Sequence, residues 1–246
     1  MGREVASVWK SAESVFNTAD SCTGLPVRRL CFEGPEDELL LTANLQPCVV
    51  ATSLAILAAA SEEAGLSQTD AFDLRGFPAP PAFVAGHSLG EYSANVAAGT
   101  ISFADALRTV RRRGRYMQEA VPVGEGAMAA VIGLEVATVL RACAEAAEGE
   151  VVSPANLNAP GQVTIAGSRA AVARVGERLK ALGARRVIPL AVSAPFHCAL
   201  MQPAACRLEA DLRELIVSDP TVPVVANVDA TLKRDASAAI EALVSQ

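Results

Sequence analysis

The segment that most restricts the fold is residues 86–90, with the sequence Gly-His-Ser-Leu-Gly. Its two glycines permit a sharp strand-to-helix turn that lifts a serine hydroxyl out of the backbone. The apolar residues 81–85 before it predict a buried parallel strand, and residues 89–98 after it favour a helix. The order of strand, tight turn and helix predicts an α/β fold with Ser88 as the candidate nucleophile. The backbone N–H of Leu89, at the start of the helix, then points to where an oxyanion would form.

Hydrophobic periodicity predicts further elements on both sides of this turn. Residues 2–20 and 44–60 favour helices, and the Gly- and Pro-containing composition of residues 64–80 predicts a surface loop. Another helix is expected to begin after Ser102 and to run to about residue 121.

From residue 127 onward the pattern becomes that of a compact βαββαβ unit. The expected strands are 127–133, 151–156, 162–167 and 186–192, and the expected helices are 136–148 and 170–183. This order is typical of a ferredoxin-like subdomain, which we expect to be an insert. After residue 197 a helix with a leucine stripe and a strand at 222–227 follow.

Composition excludes several classes of protein. Apolar residues make up 51% of the 246 and charged residues 20%, which indicates a globular chain with a large core. The formal charge of −6 argues against nucleic-acid binding. The longest nearly apolar stretch, 47–60, falls short of the roughly 18 residues that cross a bilayer, so we expect no membrane span. Six cysteines without a Cys-x-x-Cys pair argue against a disulfide framework and a zinc site, and they favour a cytoplasmic location.

A serine nucleophile needs a base, and the chain has only two histidines. His87 adjoins Ser88 on a tight turn and is expected to project away from it and to pack structurally. His197 lies in a turn where α/β sheets place their active sites, although a surface histidine is the alternative interpretation. Cys198, a rival nucleophile, is expected to be an ordinary buried thiol.

Arg113 lies on the apolar stripe of the helix predicted from residue 103, whereas three other arginines lie toward the outer face: Arg108, Arg112 and Arg115. An inward guanidinium needs an anion to offset its desolvation. That anion could be an acidic residue of the chain, in a structural salt bridge, or a substrate carboxylate that the guanidinium grips. The sequence leaves both alternatives open.

Several stretches together resemble the malonyl-CoA:acyl-carrier-protein transacylase family of fatty-acid synthesis. They are Gly-His-Ser-Leu-Gly-Glu-Tyr-Ser-Ala at 86–94, Met-Gln-Glu-Ala at 117–120, Asn-Leu-Asn-Ala-Pro-Gly-Gln at 156–162, Ser-Ala-Pro-Phe-His at 193–197 and Asn-Val-Asp at 227–229. The resemblance implies a ping-pong S-malonyltransferase that acts through a malonyl-serine ester. Its substrates would be malonyl-CoA and phosphopantetheinylated acyl carrier protein, with no further cofactor and with a monomeric enzyme.

The resemblance also implies roles for individual residues. Ser88 would attack the malonyl thioester with His197 as base, and Arg113 would hold the malonyl carboxylate. Leu89 would supply an oxyanion N–H, and Leu89 and Phe196 would be the malonyl-type residues, a bulky Phe196 disfavouring an α-methyl group. Gln246 would orient the histidine through its backbone carbonyl, in place of the Asp of other triads.

In the family's fold, residues 1–125 and 193–246 would form an α/β-hydrolase-like core with a parallel sheet, and residues 126–192 the ferredoxin-like insert. The family also has a glutamine-bearing oxyanion loop before, and a closing strand with helices after, the part that this sequence matches. We therefore expect a fragment or a mis-bounded gene product, with impaired activity.

Three alternatives stay open. A polyketide-synthase acyltransferase domain is a close variant of the leading interpretation. A serine esterase or thioesterase of α/β-hydrolase type would have no use for an inward Arg113. A catalytically impaired chain could bind only coenzyme A or carrier protein.

Overall fold

A computed structural model describes residues 1–66, 72–122 and 124–246. The chain forms two compact units, a larger one of residues 1–115 and 208–246 and a smaller one of residues 116–207. Part of the surface loop predicted at 64–80, residues 67–71, lies outside the described residues.

The chain is a mixed α/β protein. Its helices are α1 (Arg3–Val8), α2 (Lys10–Thr23), α3 (Val27–Glu33), α4 (Glu36–Leu40), α5 (Thr42–Glu63), α6 (Gly90–Ala97), α7 (Phe103–Ala120), α8 (Val136–Ala146), α9 (Arg169–Ala181), α10 (Gln202–Arg213) and α11 (Ala236–Ser245). Its strands are β1 (Val84–Ala85), β2 (Gly126–Ile132), β3 (Val152–Ala159), β4 (Gln162–Ser168), β5 (Arg186–Pro189), β6 (Val224–Val225) and β7 (Leu232–Lys233).

The helix predicted over residues 2–20 is two helices, because Trp9 adopts an extended backbone between α1 and α2 (φ −107°, ψ 123°). The predicted helix at 44–60 is α5, which is longer at both ends. Helices α3 and α4 were not predicted, since each is too short to show a hydrophobic period.

Helix α5 extends beyond the apolar stretch of residues 47–60, from which we expected no membrane span. Its 22 residues and a mean hydropathy of 1.5 make it long and apolar enough to cross a membrane by length and composition. The stretch of residues 47–60 is shorter because the polar residues Gln46 and Ser61 flank it. Half of the apolar window is buried inside the protein, where α5 packs against α2, α3 and α6. A core helix satisfies the same criterion.

The sheet of the larger unit has the order β1-β6-β7. Strand β1 is parallel to β6, with Val84 opposite Val224, and β6 is antiparallel to β7. The predicted strand 81–85 is thus parallel, but it has only two paired residues, and Phe83 and Ala85 are exposed rather than buried.

The smaller unit contains the predicted βαββαβ order. Its sheet has the strand order β3-β4-β2-β5, with every neighbouring pair antiparallel. Alternate residues of β4, among them Val163 and Ile165, face α8 and α9 and form an aliphatic core. The Ser168 hydroxyl caps α9 by accepting from the Ala171 N–H at 3.4 Å. Strand β5 ends at Pro189, three residues before the predicted end.

Candidate active site

The turn between β1 and α6 holds Ser88 with a positive φ of 48°. Such a conformation is strained for a residue other than glycine, and strain of this kind is concentrated at functional sites. Gly86 makes the turn possible, because a Cβ at this position would lie 2.0 Å from the Gly90 carbonyl oxygen. The N–H of Leu89 donates to no acceptor among the residues that the structure describes. The turn therefore presents a half-buried hydroxyl beside a backbone donor at the start of a helix.

The side chain of Asn227 makes hydrogen bonds to two backbone groups of this turn. It follows β6, and because parallel strands bring their carboxyl ends to one edge, it lies next to the turn that follows β1. Its Oδ1 accepts from the Ser88 N–H at 2.9 Å, and its Nδ2 donates to the Gly86 carbonyl at 2.6 Å. The side chain thus satisfies backbone groups before and at the serine.

Glu91 is a buried carboxylate in the first turn of α6, only 1% exposed. Its Oε2 accepts from the Asn227 N–H at 3.0 Å, from Asn227 Nδ2 at 2.6 Å and from Gln246 Nε2 at 2.9 Å. Burying a carboxylate is costly unless it is hydrogen-bonded in this way. Sequence reasoning assigned no role to Glu91 or Asn227. Both lie inside the stretches that carry the family resemblance, which was the only signal for them.

Arg113 is buried, with 6% of its surface exposed, as its place on the apolar stripe predicted. Its Nη1 donates to Gln46 Oε1 at 2.9 Å and its Nη2 to Gln246 Oε1 at 3.1 Å. The guanidinium carbon lies 5.8 Å from the centre of the Tyr92 ring. Burial lowers the pKa of Arg113 from its ordinary value. No carboxylate of the described chain lies within the 4 Å of an ion pair, so the structure offers no salt bridge to occupy this guanidinium.

Gln246 links the serine turn to the arginine. Its Nε2 donates to the Ser88 carbonyl at 3.1 Å and to Glu91, while its Oε1 accepts from Arg113. One amide side chain therefore contacts both Ser88, the candidate nucleophile, and Arg113, the candidate carboxylate-binding residue. The role predicted for the Gln246 backbone carbonyl, orienting the histidine, stays a prediction.

His197 and Phe196 belong to the smaller unit. The turn that carries them has His197 at a φ of 58°, and Pro195 packs so closely on Gly126 that a Cβ there would lie 2.4 Å from the proline ring. Phe196 is half-buried against an apolar cluster that includes Met117 and Met201. The structure thus holds the turn with His197 in a fixed, strained conformation, comparable to that of Ser88.

The remaining candidates carry less chemistry. His87 is exposed, and the expectation that it projects away from Ser88 and packs structurally stays a prediction. Burial raises the pKa of the Cys198 thiol, which disfavours the reactive thiolate, and its Sγ donates to the Pro195 carbonyl at 3.1 Å. Among residues 1–66, 72–122 and 124–246, no group of three or more His, Cys, Asp or Glu side chains could hold a metal ion.

Comparison with known proteins adds independent information. The acyl transferase domain family matches residues 2–243. The malonyl CoA-acyl carrier protein transacylase of Salmonella typhimurium is 47% identical over 99% of this chain and 74% of its own length. The solved structure of the malonyl CoA-acyl carrier protein transacylase from Coxiella burnetii gives a TM-score of 0.91 at 39% identity, over 100% of this chain and 73% of that one. A malonyl-transacylase solved in complex with a type II PKS acyl-carrier protein gives 0.89 at 45% identity, over 98% and 74%.

Proposed function

The chain belongs to the acyl transferase domain family, and we propose that it transfers a malonyl group from malonyl-CoA to the phosphopantetheine thiol of an acyl carrier protein. Its relatives' names support this reaction, and so does the chemistry of the turn at Ser88. We propose that this reaction serves fatty-acid biosynthesis. The observation that carries the proposal is a buried guanidinium, joined by one amide to the Ser88 turn, with no carboxylate of the described chain within ion-pair distance.

The reaction has two balanced halves. In the first, the Ser88 Oγ attacks the thioester carbon of malonyl-CoA while His197 accepts the hydroxyl proton. The carbon–sulfur bond breaks, coenzyme A leaves with the proton from His197, and a malonyl-serine ester remains. In the second, the carrier-protein thiol gives its proton to His197 and attacks the ester, and Ser88 recovers its proton as it leaves.

The backbone N–H of Leu89 stabilises the oxyanion in both halves. It is positioned at the start of α6, where the helix dipole favours negative charge, and it has no acceptor of its own among the described residues. The clamp that Asn227 forms around the turn holds this donor and Ser88 in place.

Arg113 recognises the free carboxylate of the malonyl group. A guanidinium can grip a carboxylate with two parallel hydrogen bonds, and burial strengthens the attraction. A substrate carboxylate would also offset the desolvation of the arginine, which no acidic residue of the described chain does at close range. Phe196, at the turn before His197, would disfavour an α-methyl group, and the Gln246 backbone carbonyl would orient the histidine.

We also propose the finer architecture. The strand-turn-helix at Ser88 and the parallel pairing of β1 with β6 support an α/β-hydrolase-like core of residues 1–125 and 193–246. The βαββαβ order and the antiparallel sheet support a ferredoxin-like subdomain at 126–192. All six cysteines are free thiols, which supports a cytoplasmic location.

Mass spectrometry under denaturing conditions tests the reaction. Brief incubation with malonyl-CoA should leave one malonyl adduct on Ser88, which added carrier protein removes. Ser88→Ala should abolish the adduct, whereas Ser21→Ala, at an exposed serine, should keep it. Free malonate that accumulates at the same rate without carrier protein would indicate a hydrolase instead.

The role of Arg113 has its own test. Arg113→Ala should lower the rate of malonyl loading by about 10- to 100-fold, the worth of a hydrogen bond to a charged group, while acetyl loading from acetyl-CoA is spared. Arg112→Ala is the control, because that arginine is exposed and pairs with Asp211. Equal losses with both substrates would show that Arg113 does not grip the carboxylate.

A further inference from the structure

The polar partners of Arg113 are neutral. A buried arginine is usually paired with a carboxylate, because an uncompensated charge in the interior is costly. Here the guanidinium donates to the side-chain carbonyls of Gln46 and Gln246. Gln46 is itself buried, 5% exposed, so the contact with Arg113 is shielded from water.

The fold fixes Gln46 in this place by a close approach of two helices. A Cβ on Gly114 of α7 would lie 2.5 Å from the Thr42 carbonyl oxygen and 2.6 Å from the Ala43 Cα in α5. Only glycine permits this distance, and the approach brings the preceding residue, Arg113, to Gln46 one turn further along α5. The Gln46 Nε2 donates to the Thr42 hydroxyl at 3.0 Å, which turns its Oε1 toward the guanidinium.

Gln246 separates the arginine from the other buried charge. Its Oε1 accepts from Arg113, and its Nε2 donates to Glu91 Oε2 at 2.9 Å. The amide thus lies between guanidinium and carboxylate, and Glu91 directs its Oε2 to N–H donors of Asn227 and Gln246. Both Nη atoms of Arg113 therefore donate to neutral amide oxygens, and no carboxylate of the described residues contacts the guanidinium directly.

We infer that Gln46 is a specificity-determining residue for the acyl group. An amide oxygen positions the guanidinium as a carboxylate would, but it leaves the positive charge in place. Glu91, behind the Gln246 amide, acts on this charge only at longer range. A carboxylate in direct contact is supplied only by the acyl group, which favours malonyl over neutral acyl groups. The inference rests on the proposed function, since it assigns the origin of selectivity at the same site.

Gln46→Glu tests this directly, because the substitution keeps the shape and adds one negative charge. The buried Glu would pair with Arg113, so the rate of malonyl loading from malonyl-CoA should fall by about 10- to 100-fold. Acetyl loading from acetyl-CoA should change by less than about 3-fold, an amount below 1 kcal/mol in barrier height. The ratio of the two rates, measured by mass spectrometry, is the readout.

Two further variants separate charge from shape. Gln46→Met removes the hydrogen bond but adds no charge, so the malonyl-to-acetyl ratio should stay near that of the wild type. Asn17→Asp is the matched control, because Asn17 Oδ1 also accepts from an arginine, Arg28, at an exposed site. Thermal unfolding by circular dichroism checks that each variant is folded at the assay temperature.

The outcomes are distinct. A Gln46→Glu enzyme with an unchanged ratio, or a Gln46→Met enzyme whose ratio falls equally, would overturn the role of neutrality at this position. A wild-type chain that takes no malonyl adduct at all would instead contradict the proposed function. A selective fall in Gln46→Glu alone is the result that we expect.

Discussion

The two units bury different kinds of side chain. The larger unit contains every buried charged side chain of the described residues, Glu91 and Arg113, together with the strained Ser88. In the smaller unit the core between the sheet and its two helices is aliphatic, with Val163, Ile165 and others facing α8 and α9. Its ion pairs, such as Arg174 with Glu150, lie at the surface.

The buried charges and the strained turn of the larger unit lower the stability of the protein at the residues to which we assign chemistry. Two buried polar atoms in the first turn of α6, Glu91 Oε1 and the Tyr92 hydroxyl oxygen, have no hydrogen-bond partner among the described residues. Each such atom costs stability, whereas an aliphatic core gains it. Strain and buried charge accumulate at functional sites because substrate, rather than the protein, completes their interactions. The smaller unit's sheet shows the ordinary packing against which that cost can be measured.

We expect the largest difference between the two units when one glycine in each is replaced by alanine. A Cβ at Gly86 would meet the Gly90 carbonyl at 2.0 Å, and a Cβ at Gly167 in β4 would meet the Val151 carbonyl at 2.1 Å. Gly86→Ala should lower malonyl loading by about 100-fold or more, because displacing Ser88 by about 1 Å costs that much. Gly167→Ala should leave loading per folded molecule unchanged.

Both glycine variants should also unfold at lower temperature, since overpacking costs about 1–3 kcal/mol. Calorimetry and the adduct assay on the same samples separate the two effects. A Gly86→Ala enzyme with normal loading would mean that the geometry of the turn does not matter for the reaction.

A second contrast concerns two carboxylates. Glu91→Gln should lower stability by about 1–3 kcal/mol, because its Oε2 accepts three N–H groups and a glutamine amide would face some of them with its own donors. Loading should fall about 10-fold as the Asn227 clamp on the turn loosens.

Glu150→Gln, at an exposed ion pair with Arg174, should shift the melting temperature only slightly. Chemical denaturation with the adduct assay measures both, and equal shifts would remove the distinction between the units.

Regular, periodic segments of the fold could be predicted from the sequence. The alternation in β4 and the amphipathic α9 gave the smaller unit's element order correctly, with errors of a few residues at the ends. The short helices α3 and α4 and the break at Trp9 could not be predicted, because they depend on tertiary packing rather than on local periodicity. The length of β1 was wrong for a related reason, since an apolar run does not determine how many residues find a ladder partner.

The site residues, too, could be predicted only where the local sequence carries a signal. Ser88 could be proposed because it lies in a Gly-x-Ser-x-Gly segment between a predicted strand and a predicted helix, and Arg113 because it places a charge on an apolar stripe. Asn227 and Gln46 break no local pattern. Asn227 reaches the turn from 139 residues away along the chain, and Gln46 reaches Arg113 across 67 residues. Such contacts are set by topology, which one sequence does not reveal.

The smallest contrast concerns pH. Lys233 and Thr231 lower the pKa of Asp229, in the turn after β6, to about 2, and Arg174 with Ser168 lowers the pKa of Glu150 in the smaller unit. A carboxylate with a lowered folded-state pKa stabilises the protein above its unfolded pKa of about 4, and that contribution disappears as pH falls toward the folded value.

Because Asp229 is exposed, the effect on stability is small. Asp229→Asn should flatten the decline in melting temperature between about pH 4 and pH 2, and Glu150→Gln should flatten the decline that begins as pH falls below the ordinary pKa of a glutamate. Parallel melting curves for the wild type and Asp229→Asn would show that the turn after β6 does not depend on this ion pair.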